Sequence, residues 1–270
     1  MRYLLLVCSL VLVSFMAHAQ EEFLLGKSAN ALPQKAAVIS AEYNVFAFEN
    51  IRSRRAGIDL AYGISDRFTL SLRGSASDFS TSDFELETGS ATAIYQIGKK
   101  ADTLRRWAIA PFLQASIIGR SGLLPSDVNL DQHSSGFSGG IIVNRNMENL
   151  TVSGSMAYSK LYFTRLLPGA LDGGALLFNL SAIKTIDLIF EKSRYQLGIL
   201  AELMGQSNSE IGQDNLDLFG PGNYLDILAG LQFTASNKYR VEMALQTEIF
   251  GNLQRFSEGL YHIRLKYLMW

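Results

Sequence analysis

The sequence predicts an all-β fold: a transmembrane, antiparallel, up-and-down barrel of about twelve strands. Three observations predict it. A two-residue alternation of apolar and polar side chains recurs along most of the chain, aromatic residues gather at one end of that rhythm, and a secretory leader precedes it. The alternation is plainest where Tyr195, Leu197, Ile199, Ala201 and Leu203 share one parity and Gln196, Gly198 and Glu202 the other. A strand sends successive side chains to opposite faces, so such a segment has one apolar face and one mixed or polar face.

The leader is read from Arg2, the apolar run Leu4 to Val13, and Ala17-His18-Ala19 as an A-x-A cleavage site. That run is shorter than the roughly 20 residues a membrane helix needs, so residues 1–19 are expected to be a cleaved signal peptide. Cys8 lies within it and is the only cysteine of the chain, which leaves the remainder without disulfides, thiolate metal sites or a cysteine nucleophile. Residues 20–34, which carry Pro33, are expected to be a periplasmic N-terminal segment, either a tail or a piece folded into the lower mouth. Residues 35–270 are then the barrel. A net charge of −1 offers no footprint for nucleic acid. After the leader no run approaches about 18 consecutive apolar residues, so a helical membrane protein is not expected.

Twelve strands are expected at 35–48, 53–64, 67–78, 84–97, 105–120, 134–144, 149–163, 173–185, 194–206, 223–235, 238–250 and 258–270. An even number returns the C-terminus to the periplasmic side on which the N-terminus starts. Outer loops should then be long and periplasmic turns short. The connections 121–133, 164–172 and 207–222 are long and rich in Gly, Pro, Ser, Asn and Asp. Those at 65–67, 145–148 and 236–237 are tight. Three connections fit less well: 98–104 is of medium length, 186–193 is long and apolar (Ile-Asp-Leu-Ile-Phe), and the first outer loop near Glu49-Asn50 is very short.

The aromatics Tyr62, Phe68, Tyr95, Trp107, Tyr195, Phe233, Tyr239 and Tyr267 lie on the apolar parity near periplasmic turns. This is where amphipathic rings meet the headgroup level. A sparser upper ring is expected from Phe84, Phe137, Tyr158, Tyr162, Tyr224 and Tyr261.

The stretch from Phe23 onward, through Leu32-Pro33 and Ala61-Tyr62-Gly63-Ile64-Ser65-Asp66-Arg67-Phe68-Thr69-Leu70, resembles the small outer-membrane barrels grouped with the phenol-degradation meta-pathway proteins. In that family a Leu-Pro segment leads into the first strand, and a Tyr-Gly-(Ile/Leu)-(Ser/Thr)-Asp-Arg turn joins strands two and three. Ala110-Pro111-Phe112 adds to the likeness. The resemblance implies a Gram-negative outer-membrane, channel-like protein for small apolar compounds, and it implies no catalytic residue. Bacterial barrels also resemble one another in a C-terminal aromatic tag read by the barrel assembly machinery. Here the final apolar parity is Tyr261, Ile263, Leu265, Tyr267 and Met269, so Trp270 is one residue out of step. The expected partners are outer-membrane lipids, that machinery and a small hydrophobic ligand.

The other parity should line the lumen: Glu42, Arg55, Asp59, Arg73, Phe112, Glu202, Arg240, Glu242, Glu248, His262, Arg264 and Lys266. Opposite charges on neighbouring strands, Asp59 with Arg73 and Glu242 or Glu248 with Arg264 or Lys266, form either a paired ionic network or a selectivity filter. Closure of the last strand on the first brings Glu42 to Arg264 and Lys266. The same parity holds Phe46, Phe48, Ile118, Leu200, Met204, Leu228, Phe250 and Leu260, which form a plug or an apolar pocket.

Catalysis finds little support. His133-Ser134-Ser135 is a partial likeness to the outer-membrane phospholipase barrels, but Gly136-Phe137 stands where Asn-Gly should follow the serine. Asn146 and Asn149 are at the wrong end to orient the histidine. Asp127, Asp131 and His133 offer acids and one imidazole on a single polar loop. After processing, only His133 and His262 remain, without metal-ligand spacing. Gly26-Lys27-Ser28 lacks the glycine a phosphate loop needs at position 21. The sequence therefore reads as a non-enzyme without cofactor or metal. It is expected to be an outer-membrane channel or transporter for small apolar or amphipathic molecules. The alternatives are a non-conducting barrel acting through loops 121–133 and 207–222, or a lipid hydrolase.

Overall fold

The computed structural model describes residues 26–47, 52–78, 84–97, 107–118, 136–147, 149–161, 174–190, 193–209, 211–213, 216–219, 222–252 and 259–269. The leader, Phe48, the loop 121–133 with its continuation to Ser135, Tyr162 and Trp270 lie outside them. The first nine strands are β1 (Ala37–Ala47), β2 (Arg52–Ser65), β3 (Phe68–Ser77), β4 (Glu85–Tyr95), β5 (Trp107–Ile118), β6 (Gly136–Met147), β7 (Leu150–Leu161), β8 (Gly174–Phe190) and β9 (Ser193–Asn208). The rest are β10 (Ile211–Gln213), β11 (Leu216–Phe219), β12 (Gly222–Ala235), β13 (Tyr239–Gly251) and β14 (Gly259–Met269).

Twelve of these close into one antiparallel barrel, in the order β1-β14-β13-β12-β9-β8-β7-β6-β5-β4-β3-β2. Closure runs the length of the first and last strands, from Ala37 opposite Met269 to Ala47 opposite Gly259. A closed sheet gives every strand two hydrogen-bonded neighbours, so no row of peptide groups faces the surroundings unpaired. The remaining two strands, β10 and β11, pair only with each other. They form a hairpin within the connection 207–222, where the sequence suggests only an irregular loop.

Turn chemistry explains the short end. Ser236 and Asn237 both have positive φ, 51° and 55°, and the Lys238 N–H donates to the Ala235 carbonyl at 3.1 Å. Two positive-φ central residues make the tight turn whose twist suits a hairpin. The connection 186–193 proves shorter than its sequence suggests. β8 continues to Phe190 and β9 begins at Ser193, with Ile186 opposite Leu197 and Leu188 opposite Tyr195. The apolar Ile-Asp-Leu-Ile-Phe is strand because its alternation simply continues.

Two bulges correct the parity read from sequence. On β4, Ser75 faces Thr88 while Ala76 faces Leu86, leaving Glu87 as the extra residue. Leu86 turns outward and Glu87 inward in consequence. On β13, Asp226 faces Glu248 but Leu225 faces Phe250, so Ile249 is extra. Phe250, expected in the lumen, is therefore on the outer face and 60% exposed. Tyr224 is corrected the other way. It shares the parity of Asp226 and Leu228, is buried, and donates its hydroxyl proton to Gln206 Oε1 at 2.9 Å instead of joining an upper ring.

The outer surface carries a continuous apolar belt, including Ile58, Leu72, Leu113, Ile141, Leu180 and Leu231. A patch of that extent is tolerated in lipid, not water. At the end where β1 begins and β14 finishes, Tyr62, Tyr95, Trp107, Phe233, Tyr239 and Tyr267 stand outward. Tyr195 stacks on Phe233 at 5.7 Å, Tyr239 on Tyr267 at 5.0 Å, and the Arg145 guanidinium lies 5.2 Å from the Trp107 ring. Phe84, Phe137, Tyr158 and Tyr261 stand outward as well. Leu113, on β5, is 71% exposed, so Leu113→Arg should cost about 2–4 kcal/mol in denaturant titrations of vesicle-folded protein. A cost near zero would mean that this face does not meet lipid.

Candidate functional site

The lumen is organised by the residues before β1. At Pro33–Ala36 the chain turns: Ala36 N–H donates to the Pro33 carbonyl at 3.0 Å, and Lys35 takes a φ of 67°. A non-glycine residue at positive φ is costly unless its surroundings hold it there. Gly63 on β2 does so, accepting from Lys35 N–H at 2.8 Å and donating to the Ala36 carbonyl at 2.9 Å. A Cβ at Gly63 would overlap the Pro33 carbonyl oxygen and come within 2.8 Å of the Leu32 carbonyl oxygen. Only glycine lets the two backbones approach so closely.

From this turn residues 34 back to 26 run as a strap along the inner wall. Gln34 N–H donates to Asp66 (2.9 Å), Leu32 N–H to Thr69 Oγ1 (2.7 Å) and Ala31 N–H to Gln96 Oε1 (3.0 Å). Asn144 donates to Ser28 Oγ at 2.9 Å, Ser153 to the Lys27 carbonyl at 3.2 Å, and Gly26 N–H reaches Glu202 at 2.8 Å. The partners begin at the start of β3 and the end of β4 and finish midway along β9, so the strap climbs from the mouth where β1 begins to the middle of the barrel. Ala29, Ala31 and Leu32 are buried. Leu32 packs with Ala36, Val38 and Leu268, while Ala29 packs with Ala108, Ala110, Phe112, Ile142 and Ala157.

Lys27 is the charged residue this strap carries inward. Its ammonium donates to Gln114 Oε1 at 2.8 Å and sits 4.7 Å from the centre of the Phe112 ring. Burial first, and the positive charge of Arg73 second, pull its pKa down to about 7 against the opposing pull of Asp59.

The strands β13, β14 and β1 to β4 supply an ionic wall. Arg55, 1% exposed, binds Glu87 in bidentate fashion, Nε to Oε2 at 2.6 Å and a terminal nitrogen to Oε1 at 2.7 Å, with Phe46 beneath the guanidinium. Arg73 pairs with Glu42, crossing β2 at Gly57, where a Cβ would lie 2.6 Å from the Glu42 carboxylate. Glu242, fully buried, receives Arg264 Nε at 2.5 Å, Lys266 Nζ at 3.6 Å and an Arg240 nitrogen at 4.0 Å. His262 places Nδ1 2.9 Å from Asn44 Oδ1 and Nε2 2.9 Å from Gln246 Oε1. Because Gln246 uses its own N–H on Asp226 at 2.6 Å, its oxygen must accept from a protonated Nε2.

The side formed by β5 to β9 and β12 is more apolar. Ile183, Leu200 and Leu228 pack together with Ala244 beside them. A partly open cavity of about 40 Å³ adjoins this side, with Lys27, Phe112, Ser138, Ser155, Leu177, Asn179 and Met204 among its lining. The carboxylate of Glu202 lies below it, capped by Gly26 N–H, Ser181 Oγ at 3.2 Å and Asn179 Nδ2 at 3.4 Å.

The structure places Glu42, Arg55, Asp59, Arg73, Phe112, Glu202, Arg240, Glu242, His262, Arg264 and Lys266 on the inner parity of their strands. Glu248 shares that parity but sits exposed at the outer end of β13, its carboxylate over Gly251, so it belongs to the rim. The expected register of Glu42 with Arg264 is present, although the ion pair of Glu42 is with Arg73. Sequence reasoning missed Glu87, whose parity a bulge reverses, Asp226, and Lys27. Tyr224 and Asp226 share one parity with Gln232 and Thr234, and reading β12 from that polar end would have found both. Asp127, Asp131, His133 and Ser135 lie outside the described residues.

No protein-family model matches the chain, and no curated protein does. Solved structures match it. An outer-membrane channel from Pseudomonas putida F1 aligns with a TM-score of 0.60 at 12% identity, covering 89% of this chain and 98% of that one. The NanC porin aligns with a TM-score of 0.53 at 11% identity, covering 86% of this chain and 98% of that one. The fold is that of the outer-membrane channel barrels. At such identities the likeness is one of fold.

Two variants test the lumen. Glu242→Gln leaves Arg240, Arg264 and Lys266 facing a neutral amide, and should lower unfolding stability by about 3–5 kcal/mol in denaturant titration. An unchanged midpoint would show that these cations are solvated independently of Glu242. Gly63→Ala should displace the strap while the barrel stays closed and heat-modifiable, so that trypsin gains access to Lys27. A wild-type digestion pattern in that variant would mean that the strap seats without the close approach at Gly63.

Proposed function

We propose that this chain is an outer-membrane channel or transporter for small apolar or amphipathic molecules, working without catalysis. The observation that carries this reading is the division of the lumen. An ionic wall whose charges compensate one another stands beside a side on which Phe112, Ile142, Ile183, Leu200 and Leu228 are set among buried polar groups such as Asn144, Glu202, Gln206 and Asp226. A water-filled ion pore is lined more uniformly with polar groups, whereas sites for small organic molecules are mostly apolar with a few fixed polar groups. The motif likeness to the phenol-degradation barrels points to the same class of cargo. A Gram-negative outer membrane is the setting that the apolar belt and aromatic girdle fit.

A second reading rests on the strap. With the lower lumen occupied by residues 26–34, the barrel is a non-conducting scaffold whose outer loops meet a partner. Planar-bilayer recordings of the mature chain, repeated after deletion of residues 20–34, separate the two. The channel reading expects discrete steps that small aromatic and aliphatic solutes block, with larger steps after the deletion. A folded barrel that conducts in neither form removes the channel reading and leaves the scaffold.

A further inference from the structure

The two ends of the barrel differ in charge. The connections at the end where β1 begins, 66–67, 96–106, 148–149, 191–192 and 236–238, carry seven Lys and Arg against four Asp and Glu. Those at the other end, 48–51, 78–84, 119–135, 162–173, 209–221 and 252–258, carry three against ten. The basic end also bears the aromatic girdle, and two cations stand outward within it. Arg145 on β6 and Lys184 on β8 are both exposed. Arg145 is opposite Val152, Val152 is opposite Ala182, and Lys184 follows two residues on, opposite Leu150. Two strand spacings and a two-residue step set their Cα atoms roughly 12 Å apart. Half-buried Leu150 and Val152 lie on the outer face between them, and the Trp107 ring is 5.2 Å from the Arg145 guanidinium.

Neither cation forms an ion pair with a described carboxylate. Asp187, the described acid nearest to Lys184 in sequence, accepts from Gln196 at 2.9 Å instead. Glu148, in the turn between β6 and β7, sets one negative charge against the two positive ones. On the girdle both side chains stand at headgroup height, where a long cationic side chain reaches for phosphate while its stem stays on apolar surface. A zwitterionic headgroup leaves the positive charge of this end uncompensated. An anionic one compensates it, and each Lys or Arg near such a surface adds to the attraction. We propose that Arg145, Lys184 and the Trp107 face form a docking site for an anionic glycerophospholipid, with its phosphate between the two cations and its first acyl carbons over Leu150 and Val152. The site depends on the place of the barrel in a bilayer and not on conduction.

Trp107 is a reporter at the site itself. Trp270→Phe leaves it as the one tryptophan of the chain, and the mature protein in that background is folded into phosphatidylcholine vesicles at low salt. Brominated phosphatidylglycerol or brominated phosphatidylcholine is then titrated in, and quenching of Trp107 gives their relative affinities. Phosphatidylglycerol should be preferred at least about fivefold, the attraction of one basic residue to an anionic surface, and the preference should shrink as salt rises. Arg145→Gln combined with Lys184→Gln should bring the ratio close to one, whereas Arg145→Lys combined with Lys184→Arg should keep most of it. Lys160→Gln, which removes an outward-parity cation at the other end of the barrel, should leave the ratio unchanged. Heat-modifiability confirms that each variant is folded. A ratio near one without the charge substitutions, or a preference that survives the double Gln variant, overturns the proposal. So does an end that binds soluble poly-glutamate without distinguishing the two lipids, which would assign it to a soluble acidic partner.

Discussion

Closure of β1 on β14 is the constraint on which the rest of the molecule depends. Eleven facing pairs, Ala37 with Met269 through Ala47 with Gly259, remove the two edges that an open twelve-stranded sheet would expose. In hydrocarbon an unpaired peptide group costs several kcal/mol, so an open sheet is not an alternative there. Closure also fixes the two faces. All outward residues meet one environment and all inward residues share one enclosed space, which forces the buried charges to find one another across strands.

That enclosure accounts for the character of the lumen. An unpaired ion in a confined interior is strongly destabilising, while a pair with good geometry is close to neutral. The contacts follow this logic. Arg55 and Glu87 meet two nitrogens to two oxygens, Glu242 collects three cations, and Gly57 gives up its side chain so that Glu42 can reach Arg73. The strap obeys the same rule. Its amides would be orphaned inside the barrel, and the wall meets them with Thr69, Gln96 and Asp66.

Much of this was legible in the sequence because a strand's parity is rigid. Once Tyr195 to Leu203 defines the rhythm, the inward identities of Glu202, Arg240, Glu242, Arg264 and Lys266 follow without further information. Parity fails wherever one residue is inserted: Glu87 is itself such an insertion, and Phe250 lies just beyond one. The strap was not legible for a different reason. Gly-Lys-Ser-Ala-Asn-Ala-Leu-Pro-Gln has no period at all, since its path is dictated by donors and acceptors on the wall. Lys27, the most suggestive side chain of the interior, thus sits in the stretch with the weakest pattern.

A segment held through its main chain is indifferent to most of its own side chains. Along residues 28–34 the wall reads amides, a hydroxyl and the absence of bulk. A run of small residues at 28–31 with a buried apolar residue at 32 would trace the same route, whereas Gly63 admits no side chain. Sequence drift should therefore accumulate in the strap and be resisted in the wall: the barrel stores the path, and the strap follows it.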